Sequence, residues 1–259
     1  MQEDDLRQAF AQDVVLLKYV GMYPVVVHGG GPQIERMLAR LKIQSSFLRG
    51  MRITDAPTME VVEMVLNRIN KQLVSLINRQ GNLAVGVTGQ DGELVAARKM
   101  RLEREDLDTE RKRDLGSVGE IVGVNPSVIR ALTEQDMIPV VAPIGYGFEG
   151  ETYNINADFV AGKIAEALRA EKLIFLTDVP GIKDREGKFM STITSIQAEE
   201  MVGDGTISAG MIPKVECCLA ALHGGVHKVH ILDGRTRHSV LLEILTREGI
   251  GTEVVRRIV

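Results

Sequence analysis

The sequence predicts an α/β protein with two lobes that share one sheet. Short apolar runs rich in β-branched residues, such as residues 25–27, alternate with longer amphipathic segments, as in a buried parallel sheet whose strands are joined by helices. Three glycines at 29–31 are followed by a proline, which predicts a tight turn that leads into a helix N-terminus. The strand pattern restarts at Leu173, so we expect lobes at residues 1–170 and 171–259.

A helix is expected first, over residues 3–20, because apolar residues recur on one helical face and Gly21 follows as a stop signal. This start is unusual, since a buried parallel sheet normally begins with a strand. Further helices are predicted over residues 34–41 and 57–79, the second with one continuous apolar stripe. Residues 47–55 lie between these two helices as a connecting segment.

The rest of the first lobe contains a hairpin signal. Residues 83–88 and 94–100 flank the turn sequence G-Q-D-G, which predicts two paired antiparallel strands. The charged run at residues 101–114 is interpreted as a solvated loop. The remaining predicted elements are a strand at 118–124, a helix at 126–136, a strand at 138–142, and a helix that follows residues 152–158 and ends near residue 170.

The second lobe repeats the alternation of strands and helices. Its predicted elements are a strand at 173–176, a turn at 177–181, a helix at 196–201, a glycine-bearing loop at 203–211, a helix with Pro213 and Lys214 in its first turn, a strand at 227–232, a helix at 239–246 and a strand at 252–258.

Composition and charge narrow the classes of partner. The chain has 259 residues and a formal net charge of −4, which gives no electrostatic reason to expect a nucleic acid or an anionic membrane as partner. No apolar run approaches the roughly 18 residues of a membrane span. The first residues are acidic, so neither a signal nor a transit peptide is expected, and the predicted location is the cytoplasm.

The cysteines and histidines do not predict a metal site. Cys217 and Cys218 are adjacent on a predicted helix, where neighbours point in different directions, so we interpret them as packing residues. The five histidines contain no helical H-x-x-x-H pair backed by a carboxylate, which argues against a zinc site.

Three short motifs are weak matches to known sites. Residues 145–150 fit G-x-G-x-x-G, but no helix opens on the last glycine, as a dinucleotide site requires. The H-G-G-G sequence at residues 28–31 is similar to an esterase oxyanion loop, yet the chain has no G-x-S-x-G elbow. Residues 181–188 have the wrong spacing for a phosphate loop, and the protein-kinase motifs H-R-D and D-F-G are absent.

Polar residues at predicted strand ends and helix starts point to another chemistry. They comprise the glycines at 29–31, Arg52, Asn154 with Asn156 and Asp158, Asp178 with Gly181, and the segment from Gly210 to Lys214. Backbone N–H groups with an arginine, a lysine and few titratable bases are typical of phosphoryl transfer, in which positioning and charge neutralisation dominate. Each residue alone has a structural alternative, such as a helix cap, a surface ion pair or a packing turn.

The ordered motifs V-V-V-H-G-G-G-P-Q, G-M-R-I-T-D, Y-N-I-N-A-D, L-T-D-V-P-G and G-M-I-P-K resemble those of the N-acetyl-L-glutamate kinases in the amino acid kinase family. Single motifs recur in related kinases of glutamate, aspartate, carbamate and UMP. The resemblance covers essentially the whole chain and implies an open, mostly parallel three-layer αβα sandwich. It implies that residues 1–170 bind acetylglutamate and form the dimer, and that residues 171–259 bind ATP with Mg²⁺. The implied reaction is phosphorylation of the γ-carboxylate, the second step of arginine biosynthesis through acetylated intermediates.

The resemblance also implies roles for individual residues. Lys214 would neutralise charge on the phosphoryl group, and Asp158 would orient the catalytic lysines. The implied substrate-binding residues are Gly29, Gly30, Arg52, Asn154 and Asn156. The implied nucleotide-binding residues are Asp178, Val179, Pro180, Gly181, Ile182, Lys183, Thr206, Ile207, Ser208, Ala209, Gly210 and Met211. A γ-carboxylate has a reference pKa near 4.3 and is ionised at neutral pH, so no general base is needed.

A last segment resembles the arginine-binding region of the feedback-inhibited branch of the family. His230, Glu243 and Gly249 occupy the matching places, which implies L-arginine as an inhibitor. The alternative is that these residues only pack the last helix and strand. The resemblance further implies a homodimer, with a higher oligomer as an alternative.

One departure concerns the start of the chain. Family members begin with a strand ending in K-x-G-G, whose lysine contacts the phosphoryl group, and this sequence starts after that motif. The resemblance therefore predicts that the chain as written is a poor kinase, with a rate lower by roughly two to three orders of magnitude. The competing hypotheses are a non-catalytic subunit that binds acetylglutamate and a kinase for a related amino acid carboxylate.

Overall fold

The computed structural model describes residues 4–48, 50–81, 83–101, 114–207, 211–247 and 249–257. Its helices are α1 (Asp4–Tyr19), α2 (Gly31–Arg40), α3 (Ala56–Arg79), α4 (Ser127–Glu134), α5 (Ala157–Leu168), α6 (Ser195–Gly203), α7 (Ile212–His223) and α8 (Ser239–Leu245). Its strands are β1 (Val26–Val27), β2 (Phe47–Leu48), β3 (Met51–Arg52), β4 (Ala84–Thr88), β5 (Val95–Lys99), β6 (Gly119–Val124), β7 (Ile138–Ala142), β8 (Ile144–Tyr146), β9 (Thr152–Asn154), β10 (Lys172–Thr177), β11 (Thr192–Thr194), β12 (Lys228–Asp233) and β13 (Thr252–Val255). The predicted α/β class is confirmed.

The chain divides into two compact units. The glycine-loop unit consists of Val25–Asn78 and Leu83–Val160, and the C-terminal unit consists of Met1–Pro24, Arg79–Asn82 and Ala161–Val259. These units differ from the predicted lobes, because the boundary lies inside α5 rather than near residue 170.

Helix α1 belongs to the C-terminal unit although it comes first in the sequence. It buries Val14, Val15 and Leu17 and packs against α8. The carboxylate of Asp13 is buried, and its Oδ1 lies 2.6 Å from Nδ1 of His238, the residue before α8. This long-range pairing groups the first residues with the C-terminal unit, whereas the sequence prediction groups them with the first lobe.

The core of the glycine-loop unit is a parallel sheet with the order β1-β7-β4. Strand β7 lies in the centre and all five of its residues are buried, as its continuous apolar sequence predicts. Helices α2 and α3 contribute a core cluster that includes Leu38, Val62 and Leu66. The glycine turn after β1 is therefore held between a buried sheet and a buried helix face.

The hairpin predicted between residues 83 and 100 is wrong. Strand β4 pairs in parallel with β7, whereas β5 pairs with β6 and β8 in another sheet of order β6-β5-β8-β9. The turn sequence instead forms local hydrogen bonds, in which the Asp91 carboxylate accepts from both the backbone N–H and the hydroxyl of Thr88. The polar groups of the turn therefore have hydrogen-bond partners although the two flanking strands do not pair with each other.

Two hairpins were not predicted. The strands β8 and β9 pair antiparallel, with Ile144 opposite Asn154, so the glycine motif at 145–150 is largely a hairpin turn. Gly150 has a φ of 93°, which explains a glycine at this position. The connecting segment also contains a short hairpin, because β2 pairs antiparallel with β3.

The C-terminal unit contains a mixed sheet with the order β10-β12-β13-β11. Pairs β10–β12 and β11–β13 are parallel, and β12–β13 is antiparallel. Its core includes Phe175, Ile231 and Val254 together with Cys217 and Cys218, which are buried as predicted for packing residues. Strand β11 has three residues and was missed, and β13 ends at Val255 rather than residue 258.

The expectation of one shared sheet is not met in the described part of the chain. No sheet there combines strands from both units. The charged run lies almost entirely outside the described residues, so its interpretation as a solvated loop stays a prediction. Within the described ranges, no helix has the length and apolar character needed to cross a membrane.

Candidate functional site

A cavity of about 230 Å³ opens beside the glycine turn in the glycine-loop unit. The five predicted substrate-binding residues all line it: Gly29, Gly30, Arg52, Asn154 and Asn156. Apolar side chains, including Phe47, Leu66 and Phe159, cover much of the remaining wall. A small cavity with an apolar wall and a few convergent polar groups is typical of a small-molecule site.

The glycine turn presents unused backbone donors. Among the described residues, no hydrogen bond engages the amide N–H of Gly29, Gly30 or Gly31, and Gly31 is the first residue of α2. Such N–H groups at a helix N-terminus form a ready anion site. Pro32 fits here because a proline in the first turn lacks only an N–H that the helix does not use.

Gly30 is also required by packing. A Cβ at this position would lie 2.8 Å from both Ile69 Cδ1 and Leu66 Cδ2 on α3. No side chain or backbone atom obstructs a Cβ at Gly31, and at Gly29 the nearest atom is the Ala157 Cβ at 3.7 Å. The turn is therefore pressed against α3 at its centre and open to a ligand on either side.

Arg52 is the cationic group of the cavity, and it is buried. Its Nη1 donates to Glu35 Oε2 at 2.6 Å and to the Ser45 hydroxyl, and the Phe47 ring centroid lies 4.6 Å from its Cζ. Hydrogen bonds from Arg52 and Ser45 lower the pKa of Glu35. Glu35, Ser45 and Phe47 were not predicted, because no local motif connects them with an arginine in another element.

The two asparagines have different structural environments. Asn154 Nδ2 donates to the Thr54 hydroxyl at 3.1 Å, and that hydroxyl donates to the carbonyl oxygen of Arg52 at 2.8 Å. This chain of bonds fixes β9 against the strand that carries Arg52. Asn156 Oδ1 accepts from the Asp158 N–H at 2.8 Å and so caps α5.

The segment predicted to bind the nucleotide begins where β10 ends, in the C-terminal unit. The Thr177 hydroxyl donates to the Val179 carbonyl at 2.8 Å and accepts from the Val179 N–H at 3.0 Å, which forms a tight turn. Gly181 has a φ of 141°, and a Cβ there would lie 2.5 Å from the Thr252 hydroxyl oxygen. That hydroxyl accepts from the Ile182 N–H at 2.8 Å, so the turn is anchored to β13.

The second predicted nucleotide segment starts at Thr206 in the same unit. Arg185 joins the two segments, because its Nη2 lies 2.6 Å from Asp204 Oδ2 and its Nε donates to the Thr206 hydroxyl at 3.3 Å. The Asp204 carboxylate also accepts from the Thr206 N–H. Arg185 and Asp204 were not predicted. Ser208, Ala209 and Gly210 lie outside the described residues.

The predicted catalytic residues lie in the first turns of two helices. Lys214 is partly buried at the start of α7, and Asp158 is partly buried at the start of α5. They belong to different units, so the orienting role predicted for Asp158 remains a prediction.

His230, Glu243 and Gly249 are brought together in the C-terminal unit. His230 Nδ1 lies 2.7 Å from Glu243 Oε1, and Glu243 Oε2 accepts from the N–H groups of Ile250 and Gly251 at 2.7 and 3.0 Å. Burial favours a higher pKa for Glu243, but these hydrogen bonds outweigh it and lower the pKa from 4.5 to about 2. Both carboxylate oxygens thus have partners within the chain, as the packing alternative requires.

The described residues contain no group of three or more His, Cys, Asp or Glu side chains that could hold a metal ion.

Similar proteins share this sequence pattern over most of its length. A sequence model of the Amino acid kinase family matches residues 1–233. The chain is 54% identical over 255 residues to the acetylglutamate kinase of Chromobacterium violaceum, a match that covers 98% of this chain and 87% of that protein. It is 51% identical over 260 residues to the acetylglutamate kinase of Hahella chejuensis, with 99% and 86% covered.

The fold is similar to that of N-acetylglutamate synthase from Neisseria gonorrhoeae. The complex of that enzyme with coenzyme A and N-acetyl-glutamate has a TM-score of 0.86 at 24% identity. The match covers 100% of this chain, which spans 57% of the synthase chain. The complex with coenzyme A and L-arginine has a TM-score of 0.82, again at 24% identity, and covers 98% of this chain and 59% of that one.

Proposed function

The chain belongs to the amino acid kinase family, and from this premise we propose that it transfers the γ-phosphoryl group of ATP to the γ-carboxylate of N-acetyl-L-glutamate. The product would be N-acetyl-L-glutamyl 5-phosphate, and the reaction would be the second step of arginine biosynthesis through acetylated compounds. The observation that carries the proposal is the cavity of about 230 Å³ in which the glycine turn, Arg52 and Asn154 converge.

The cavity suits a small acidic ligand. Its volume lies below the range of about 300–1,000 Å³ typical of drug-sized ligands, which favours a compact substrate. We assign Arg52 to a substrate carboxylate, because a guanidinium group pairs with a carboxylate through two parallel hydrogen bonds. Nη1 is already engaged by Glu35 and Ser45, and Nη2 donates to the Gly31 carbonyl at 3.4 Å, so we assign the ligand to Nε and the second hydrogen of Nη2. Asn154 and Asn156 supply further polar contacts at the cavity wall.

The reaction requires charge stabilisation rather than proton removal. The γ-carboxylate is ionised at neutral pH, so one of its oxygens can attack the γ-phosphorus directly while the bond from that phosphorus to the β–γ bridging oxygen breaks. We assign the N–H groups of Gly29 and Gly30 to the reacting carboxylate and phosphoryl oxygens, and Lys214 to the negative charge on the phosphoryl group. ADP then leaves with the bridging oxygen.

The nucleotide is assigned to the segments at Asp178–Lys183 and Thr206–Met211. The first segment follows the parallel strand β10, and the second leads to the α7 N-terminus with Lys214 in its first turn; both positions fit a polyphosphate ligand. Mg²⁺, bound through the phosphates, would neutralise charge on the β- and γ-oxygens. Arg185 and Asp204 would support this site by holding the two segments together.

Two further features are proposed. The first is that the enzyme acts in the cytoplasm as a homodimer. Size-exclusion chromatography with light scattering tests the oligomeric state. The second is feedback inhibition by L-arginine near His230, Glu243 and Gly249, which equilibrium dialysis with labelled arginine tests. Because both oxygens of the Glu243 carboxylate already have partners, arginine would have to share or replace the contacts with His230 and with the N–H donors of Ile250 and Gly251.

The activity is tested by ADP release with purified chain and MgATP. We expect acetylglutamate to give a kcat/KM at least about tenfold above that of L-glutamate, because the free amino group would add an uncompensated charge to a mostly apolar cavity. A preference for L-glutamate would favour a kinase for a related amino acid. Calorimetric binding of acetylglutamate without ADP release would favour a non-catalytic subunit.

A further inference from the structure

A buried pair of side chains lies behind the glycine turn and has no part in the mechanism above. His28 ends the strand segment that precedes the glycines, and Asn70 lies on α3; both are buried. Asn70 Nδ2 lies 3.3 Å from His28 Nε2, and His28 Nδ1 lies 3.1 Å from the carbonyl oxygen of Gly29. The three groups form a continuous relay from α3 to the backbone of the turn.

The partners determine where the proton of His28 lies. A carbonyl oxygen only accepts, so Nδ1 must carry the hydrogen in its contact with Gly29. An amide nitrogen only donates, so Nε2 must be the acceptor in its contact with Asn70. The ring is therefore neutral with its hydrogen on Nδ1, and burial, which lowers the pKa of His28, favours the same neutral state.

Asn70 is fixed in the orientation that this arrangement needs. Its Nδ2 also donates to the Val140 carbonyl at 2.8 Å on β7 and lies 3.4 Å from the Val87 carbonyl on β4. Its Oδ1 is buried without a hydrogen-bond partner among the described residues. A Cβ on Gly86 would lie 1.8 Å from this oxygen. Turning the amide over would place Oδ1 against a carbonyl oxygen, so the amide direction is determined by the sheet.

The relay acts on the peptide bond between Gly29 and Gly30. No cis peptide bond occurs in the described chain, and in a trans peptide the C=O and N–H groups point in opposite directions. A hydrogen bond that holds the Gly29 carbonyl therefore also sets the direction of the Gly30 N–H. Without it, the glycine turn would have a wide choice of backbone angles.

We propose that His28 and Asn70 are positioning residues that orient the Gly30 N–H toward the group bound in the cavity. The proposal rests on the proposed function, because the bound group is taken to be the reacting carboxylate or phosphoryl oxygen of that reaction. Neither side chain touches the substrate; both act through the backbone of the turn.

The first test reads the proton on His28 without relying on activity. Long-range ¹H–¹⁵N spectra of the ¹⁵N-histidine-labelled chain at neutral pH distinguish the two neutral tautomers, and His28→Asn identifies the signal by its loss. We expect hydrogen on Nδ1 and a bare Nε2. A ring with its hydrogen on Nε2, or a charged ring, would overturn the proposal.

The second test compares two substitutions of nearly the same shape, His28→Asn and His28→Leu. The Asn side chain can keep a donor on the atom bonded to Cγ, where Nδ1 was, whereas Leu cannot. We expect kcat of the Leu variant to be about 10- to 100-fold below that of the Asn variant, part of the loss typical for one oxyanion donor, with KM for ATP within about twofold. Equal kcat values in the two variants would contradict the relay.

The two tests also separate this proposal from the proposed function. If the wild-type chain fails to phosphorylate acetylglutamate, the proposed function fails, whereas the tautomer of His28 still decides whether the relay exists. If the chain is active and the tautomer is wrong, only the relay fails.

Discussion

Arg52 shows how a single residue is prepared for a ligand. Its guanidinium is buried, and its Nη1 is held by Glu35 and Ser45. Its Cζ lies over the Phe47 ring, 4.6 Å from the ring centroid. A buried arginine whose orientation is fixed in this way loses little side-chain entropy when a carboxylate binds, which favours affinity.

Arg52→Lys should weaken acetylglutamate binding by about tenfold or more, because a single ammonium group cannot form the paired hydrogen bonds of a guanidinium. Isothermal titration calorimetry measures the change. Arg36→Lys is the matched control, since Arg36 is an exposed arginine of the same unit, on α2. Equal affinity in the wild type and the Arg52 variant would remove Arg52 from the substrate site.

Lys214→Ala should lower turnover by roughly a hundred- to a thousand-fold, the loss typical for one donor to transition-state charge. Acetylglutamate affinity should barely change, because we assign Lys214 to the phosphoryl group alone. Lys188→Ala, at an exposed lysine of the same unit, should leave turnover unchanged. Turnover within a few-fold of the wild type would show that Lys214 does not contact the phosphoryl group.

At the scale of elements, Glu243 connects three parts of the C-terminal unit. It lies on α8, its Oε1 is paired with His230 on β12, and its Oε2 accepts from the N–H groups that precede β13. The side chains of His230 and Glu243 are 4% and 5% exposed, so water does not replace these bonds. A buried carboxylate with this many donors should be a large local contribution to stability.

The lowered pKa of Glu243 predicts loss of stability in acid. Because the folded-state pKa is about 2 and the unfolded value is 4.5, the contribution is fully present above pH 4.5 and is lost as the pH falls toward 2. At neutral pH it amounts to about 3 kcal/mol. Urea unfolding at pH 7 and pH 3 should show a smaller pH dependence for Glu243→Gln than for the wild type.

Glu199→Gln provides the control, because Glu199 is exposed on α6 of the same unit. Its pH dependence should match that of the wild type. The explanation would be wrong if the Glu243 variant also retained the full pH dependence.

For the whole molecule, sequence periodicity predicted the helices and the buried strands, and motif resemblance predicted the residues that line the cavity. Prediction from the sequence failed where the pairing of strands or side chains depends on residues far apart in the chain. Strands β4 and β5 flank a turn sequence but pair with β7 and with β6 and β8, because parallel pairing is set by burial rather than by the local turn. Nothing local to α1 predicts that Asp13 meets His238 across most of the chain.

The same limit applies to the site. Gly29, Gly30, Arg52, Asn154 and Asn156 were predicted because each belongs to a motif, and all five line the cavity. The residues that support them were not predicted, since hydrogen bonds such as Arg52–Glu35 join residues of separate elements. The sequence around a single helix residue shows no pattern that predicts a hydrogen bond to another element, so such a bond is seen only in the folded chain.

The central claim is that the phosphoryl group reaches the γ-carboxylate of acetylglutamate. An acyl phosphate formed there reacts with hydroxylamine to give the γ-hydroxamate, which mass spectrometry identifies. We expect γ-hydroxamate to accumulate with the wild-type chain, MgATP and acetylglutamate, and to fall by roughly a hundred-fold or more with Lys214→Ala. ADP release without γ-hydroxamate, or no product from chain that binds both substrates, would contradict the account.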